Sequence, residues 1–356
     1  MLSFLLTLAA SFCVGLLFKK LKVPGALLVG SIAGAAILCI GFDAAYMPPT
    51  AKLASQIVAG AFIACTVEKD DLLRLRYIGK PLLVMMSGFL TVNIVIGFIT
   101  YWLTPLDLIT SLMSCTPGGI SDIPIISADL GADSAKVAAM QFIRLVAGLS
   151  IIPPMTGWMA KRKPHLTQSG LKAAQGEQSP ESVRTVVKAE ASSINILLTL
   201  TLAALCGILG KISGMPAGTL TFSLIGVLVF KFVCNRAAIP RWIKSVAQVL
   251  AGAYIGSSMT RSDILEMRFL IVPALLLVAG YIINCLLCGY LMHRLFGLDI
   301  REGMLACTPA GASDMALISS DLGVQSTDLV VLQILRLLIV IIFFPPLLVG
   351  IAHLLG

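Results

Sequence analysis

The segment CTPGGISDIPIISADLG, Cys115–Gly131, returns as CTPAGASDMALISSDLG, Cys307–Gly323, at an offset of 192 residues. Both copies collect proline, glycine, serine and aspartate, and both sit in strongly apolar surroundings. Helix breakers and acids are costly inside a bilayer, so a chain that keeps two such tracts has to satisfy their backbone and charges internally.

The rest of the chain identifies a bilayer as its solvent. Of 356 residues, 58% are hydrophobic and 12% charged, with a mean hydropathy of +0.96; soluble domains carry roughly 25% charged residues. Apolar runs at Met1–Phe18, Gly25–Gly41, Pro81–Leu103, Ile194–Leu209 and Phe269–Met292 approach the roughly 17–25 residues that cross a bilayer as helix. Lys19, Lys20 and Lys22 follow the first run and no basic residue precedes it, the reverse of a cleavable signal, so the first helix is expected to be retained. The net charge of +8 comes without a basic amphipathic helix or a zinc pattern, so no nucleic-acid partner is expected. The nine cysteines, including the Cys285/Cys288 pair, lie almost entirely in apolar stretches and read as packing thiols.

The same offset organises the whole sequence. It aligns Cys115–Pro154 with Cys307–Pro346 without gaps at 17 identities in 40 positions, QIVAGAFI at Gln56 with QVLAGAYI at Gln248, and KVPG at Lys22 with GMPA at Gly214. Register kept over such a span means duplication. The expected units are membrane repeats over 1–160 and 194–356, joined by a polar, Gln/Ser-rich linker over 161–193.

Charge predicts the relation between the repeats. Five spans per half, at about 1–18, 25–41, 52–67, 80–103 and 133–159, invert the second half relative to the first. With the N-terminus outside, 19 lysines and arginines then face the cytoplasm, against four outside: Lys52, Lys211, Arg261 and Arg268. Residues 106–131 and 298–322 remain as re-entrant or discontinuous helices entering from opposite faces. The expected class is an all-α polytopic membrane protein of two inverted repeats, multi-pass in the cell membrane, with a bacterial inner membrane the expected location.

Each re-entrant limb is too short to cross. Pro117 ends the first limb, Gly118 and Gly119 supply the turn, and Ser121 or Asp122 is expected to cap the second. Two helix N-termini then meet at mid-membrane and favour an anion, the plan of secondary transporters. AAMQFIRLVAGL and VVLQILRLLIVI each place an arginine, Arg144 and Arg336, midway along an apolar helix, with Gln141 and Gln333 on the same face. Asp122 and Asp314 are the expected partners of these arginines, either as buried ties that pin the hairpins or as ion-coupling acids beside arginines that hold a substrate carboxylate. The candidate substrate-binding set is therefore Thr116, Pro117, Gly118, Gly119, Ser121, Asp122, Gln141, Arg144, Thr308, Pro309, Gly311, Ser313, Asp314, Gln333 and Arg336. Asp129 and Asp321 are expected to close the turn at the membrane surface. Gln56 and Gln248 suit helix–helix hydrogen bonds, and Pro153-Pro154 and Pro345-Pro346 suit kinks.

At CTPGGISD and CTPAGASD, followed by QFIRL and QILRL, the sequence resembles the duplicated AbrB-type membrane protein family, whose members carry the labels transcriptional regulator or ammonia monooxygenase. The resemblance covers nearly the whole chain and departs at Ala310, where the first copy has Gly118. It implies a place within the cation–proton antiporter and anion transporter superfamily, hence an inverted-repeat fold and secondary transport. A monooxygenase needs a metal or organic cofactor, yet His165, His293 and His353 are scattered and no ligand cluster has metal spacing. No cofactor, metal or enzymatic activity is expected. The expectation is ion-coupled, alternating-access transport of a small anionic metabolite, with a proton or sodium ion, membrane lipid and a homo-oligomer as candidate partners. A non-transporting membrane sensor that affects gene expression indirectly is the alternative.

Overall fold

The computed structural model describes residues 2–162 and 193–355, apart from 312–314, 316–318, 320–323 and 325. The first half forms α1 (Leu2–Lys20), α2 (Ala26–Phe42), α3 (Pro49–Thr66), α4 (Lys69–Leu103), α5 (Leu108–Ser114), α6 (Asp122–Asp129) and α7 (Ser134–Arg162). The second forms α8 (Ser193–Ile212), α9 (Gly218–Cys234), α10 (Arg241–Ser257), α11 (Arg261–Glu266), α12 (Ile271–Phe296), α13 (Ile300–Ala306) and α14 (Thr327–Leu355), with a 3-10 turn, Met267–Leu270, between α11 and α12. No strand occurs among the described residues, and six of the helices are long and apolar enough to cross a membrane. The protein is an all-α, multi-pass membrane protein.

Equivalent turns take equivalent backbone. Lys22 and Gly25 bracket KVPG with φ of 55° and 66°, and Gly214 and Ala217 bracket GMPA with 66° and 57°. The helices α2 and α9 both end on a left-handed residue, Asp43 and Asn235, two of the few side chains that tolerate that region. The prolines Pro153-Pro154 and Pro345-Pro346 lie inside α7 and α14, which continue through them.

The helices sort into two bundles. One holds α1–α3 and α8–α10, with α2 against α10 and α9 against α3; the other holds α4–α7 and α12–α14, built around the α4–α12 pair. Glycines allow the close approach in the first bundle: a Cβ at Gly60 would stand 2.5 Å from the Leu220 carbonyl, and one at Gly252 would stand 2.6 Å from that of Leu28. These are the same contact in the two halves. Small residues serve this purpose in lipid, where apolar side chains gain little by leaving their surroundings.

Across the centre, equivalent helices run antiparallel. Lys52, near the start of α3, lies 5.7 Å from the Tyr254 ring near the end of α10, and Lys244, near the start of α10, lies 4.2 Å from the Phe62 ring near the end of α3. In the second bundle Gly88 of α4 faces Asn284 and Cys288, while Gly280 of α12 faces Val92 and Ile96. At the margins the contact survives with its charges exchanged: Lys136 pairs with Glu266 at 2.6 Å, and the equivalent Asp328 pairs with Arg74 at 2.8 Å. The linker expected over 161–193 lies outside the described residues from 163 to 192.

Candidate substrate site

The first half contributes a broken hairpin, α5 and α6, and the second contributes α13, beyond which residues 312–314, 316–318 and 320–323 lie outside the described residues. Asp107 starts α5 by accepting from the Thr110 N–H at 2.9 Å, and Asp299 starts α13 by accepting from the Arg301 N–H at 2.8 Å. Each helix is seven residues long, and Pro117 and Pro309, ten residues after those aspartates, forbid continuation, so each short helix ends with orphan carbonyls deep in the protein.

The Gln-x-x-Arg pairs satisfy those carbonyls. Gln141 Nε2 donates to the carbonyls of Met113, Ser114 and Thr116 at 3.3, 3.3 and 3.0 Å, and Gln333 Nε2 donates to those of Leu305, Ala306 and Thr308 at 2.9, 2.9 and 3.2 Å. Arg144 spreads its fork over Thr116 O and Gly118 O, both at 2.6 Å, and Arg336 spreads over Thr308 O at 2.8 Å and Ala310 O at 2.6 Å. The expected tie from Arg144 to Asp122 is therefore absent. A helix C-terminus presents about half a negative charge and several acceptors in a row, and the planar guanidinium fits two of them at once. Ser313, Asp314 and Asp321 lie outside the described residues.

The two arginines stand on either side of an aromatic pair. Phe89 and Tyr281 meet with centroids 5.9 Å apart; Arg144 Cζ lies 6.0 Å from the Tyr281 ring and Arg336 Cζ 5.7 Å from the Phe89 ring. Tyr281 also donates to the Cys115 carbonyl at 2.8 Å. Both arginines are buried, and among the described residues neither meets a carboxylate and neither Nε has a hydrogen-bond partner. Two guanidinium charges against two helix C-termini leave about one net positive charge at the centre. A small cavity beside Arg144 is lined by Ala147, Gly148, Ile152, Tyr281 and Pro309, which brings the second hairpin's tip to the first half's last helix.

The second limb of the first hairpin, α6, crosses the seam between the bundles. It begins at Asp122 without the expected side-chain cap: the N–H groups of Asp122 and Ile123 both donate to Gly119 O, at 3.2 and 3.1 Å. A Cβ on Gly119 would fall 2.2 Å from Asp122 Oδ2, so a larger residue there would have to displace that carboxylate. Ser121 instead accepts from Gln248 Nε2 of α10 at 2.7 Å, and the cation whose field reaches buried Asp122 is Lys244. At the other end of α6, Asp129 pairs with Lys52 of α3 at 2.6 Å and accepts from Gln56, which also donates to Ile125 O at 3.3 Å. Asp129 thus faces α3 rather than closing a surface turn. Both ends of α6 are held by one repeated signature, Lys-x-x-x-Gln, from α3 and from α10. Sequence reasoning counted Lys52 and Lys244 as orientation charges. Their shared offset and their i, i+4 relation to Gln56 and Gln248 were the available signal.

Thr116 and Thr308 complete the hairpin ends by donating back to Leu112 O and Met304 O, both at 3.1 Å. No cluster of three or more His, Cys, Asp or Glu suited to a metal occurs among the described residues.

Comparison with known proteins places this arrangement. The chain is 24% identical over 331 residues to the Escherichia coli (strain K12) protein named "Putative regulator AbrB", covering 92% of this chain and 90% of that protein. It is 26% identical over 257 residues to the Bacillus subtilis (strain 168) protein named "Uncharacterized protein YhjN", covering 70% of this chain and 65% of that protein. The family described as "Transition state regulatory protein AbrB" matches residues 1–160 and again 165–351. With both halves matched, the chain belongs to the AbrB family.

Proposed function

We propose that this protein is a secondary transporter of a small anionic metabolite, built as two inverted repeats and working by alternating access in the cell membrane with its N-terminus outside. One observation carries the reading: α5, α6 and α13, the described parts of the two broken hairpins, belong to one bundle, and that bundle meets the other along a narrow seam, through polar side chains at the ends of α6 and a small apolar cluster in which Ile125 and Ala135 pack against Leu28, Ala36, Ala251 and Ile255. A seam this limited can be broken and remade while each bundle stays packed. Antiparallel pairing of α3 with α10 and of α4 with α12 supports an axis lying in the membrane plane. The residual positive charge of Arg144 and Arg336 supports an anionic cargo. We assign no catalytic role.

Uptake of a panel of organic anions into proteoliposomes tests the proposal. Saturable flux that depends on an ion gradient and is lost in Arg144→Ala and Arg336→Ala is the expected outcome. The name of the Escherichia coli relative favours a second reading, a membrane sensor. Absence of flux across the panel, together with a partner's output that changes with Asp122→Asn, is the result that reading requires.

A further inference from the structure

The surroundings of the two central arginines differ in how they are filled. The cavity beside Arg144 lies between α7, α12 and the tip of the second hairpin at Pro309. A Cβ at Gly148 would meet nothing closer than Pro309 and Thr308, at 3.8 Å. At the equivalent place in the second half stands Val340, fully buried, whose Cγ1 comes within 3.4 Å of where a Gly118 Cβ would be. The neighbours repeat the pattern at the 192-residue offset: Ala147 against Ile339, Ile152 against Phe344, and Val278 against Met86. Four lining positions thus carry the smaller residue on the Arg144 side, although the Gln, Arg, Thr-Pro and Pro-Pro positions are unchanged.

Interiors are close-packed, and an unfilled space costs stability. Four smaller side chains around one space, with larger ones at every equivalent position, point to room kept for a guest. The lining says what kind. Arg144 is its one charged group, and Arg144 Nε has no partner among the described residues, while Nη1 and Nη2 are engaged by the hairpin. The Tyr281 hydroxyl is engaged by the Cys115 carbonyl. The rest of the lining, Ile282 and Pro309 included, is apolar. A guest can therefore set one negative group at the guanidinium and must offer hydrocarbon to everything else. A second carboxylate or a row of hydroxyls would be buried without partners. The space is about the size of one water molecule, so the hydrocarbon is short.

We infer that the cargo is a short-chain monocarboxylate, bound on the Arg144 side of the centre with its hydrocarbon against Ala147, Gly148 and Ile152, and that Ala147 and Gly148 set its greatest length. The inference deepens the transport reading above and rests on it for the cargo's charge; the one-sided space does not depend on it.

Thermal unfolding of the purified protein in sodium formate, acetate, propionate, butyrate and succinate, against sodium chloride at equal ionic strength, tests the site without any transport. A saturable rise in melting temperature with short monocarboxylates and none with succinate is expected. Gly148→Ala, whose methyl group has room, is expected to fold as the native protein does and to weaken propionate and butyrate about tenfold. Gly148→Val, which copies the residue of the second half, is expected to abolish the shift while melting no lower than the native protein. No monocarboxylate-specific shift in the native protein, or an undiminished shift in the Gly148 variants, overturns the site; should Gly148→Val fail to fold, Gly148→Ala decides by the same comparison. Uptake of other anions that ignores Gly148→Ala would overturn the site while leaving transport standing. A monocarboxylate shift that Gly148→Ala weakens, without uptake of any anion, would do the reverse.

Discussion

Phe89 and Tyr281 occupy the same position in the two halves and touch each other, ring centroid to centroid, at 5.9 Å. In the proposed inverted-repeat arrangement a residue meets its own copy only on the axis that relates the copies, which would put that axis between these rings, with Arg144 and Arg336 on its two sides. The pair is asymmetric in one atom, the Tyr281 hydroxyl, which donates to Cys115 O, whereas the equivalent Cys307 carbonyl accepts from Cys285 Sγ at 2.9 Å. Tyr281→Phe is expected to lower stability by about 1 kcal/mol, the net value of one such bond, as measured by denaturant or thermal unfolding. Phe89→Tyr is expected to gain nothing, because the carbonyl its hydroxyl would seek is already engaged.

Arg144 ties the broken end of α5 with two bonds from one planar group. Arg144→Ala strands the carbonyl of Gly118, takes one donor from that of Thr116, and is expected to cost about 3 kcal/mol. Arg144→Lys keeps the charge but cannot span both acceptors as a fork, so it is expected to recover less than half of that loss and none of the uptake. Unfolding and uptake measured on the same preparations check both statements.

The Lys52–Asp129 pair bridges the two bundles with both side chains partly exposed, at 18% and 26%. Exposed pairs contribute little to stability, so Lys52→Asp or Asp129→Lys alone is expected to cost about 1 kcal/mol while reducing uptake far more. The double exchange is expected to restore most of the uptake. Nature has made such an exchange in this fold, since Lys136–Glu266 and Asp328–Arg74 occupy equivalent positions with opposite signs. A double variant as impaired as the sum of the singles would remove the pair's coupling role.

Glycines separate close packing from open surface. Gly60→Ala and Gly252→Ala drive a methyl group against the backbone of α9 and α2, and each is expected to cost about 1–3 kcal/mol. Gly79→Ala, inside α4 with nothing within 4 Å, is expected to stabilise by about 0.5–1 kcal/mol. Comparing the three melting temperatures in one detergent checks the ranking.

Much of the architecture was legible in the sequence because duplication samples every feature twice. The span expected at 52–67 appears as Pro49–Thr66, the helix expected at 80–103 begins earlier, as Lys69–Leu103, and the re-entrant segment expected over 106–131 appears as Leu108–Ser114 and Asp122–Asp129. The partner of Arg144 was not legible. Carbonyls carry no side-chain signature, so a search for charge partners found Asp122 and passed over the helix end that holds the guanidinium. The division into two bundles was hidden for a similar reason, since packing through Gly60 and Gly252 leaves no charge or periodicity to read. The margin pairs escaped because their signs are exchanged between halves, and a search for identity discards such positions.

The central claim is that the bundle carrying the hairpins moves past the other across the seam at α6. Gln248 and Ser121 face each other there at 2.7 Å, so Gln248→Cys/Ser121→Cys, in a background without the nine native cysteines, places a cross-linkable pair on both sides. Uptake measured before and after bridging the two thiols decides the matter. The account predicts that bridging abolishes uptake and that reduction restores it; uptake undiminished by a complete cross-link would contradict it.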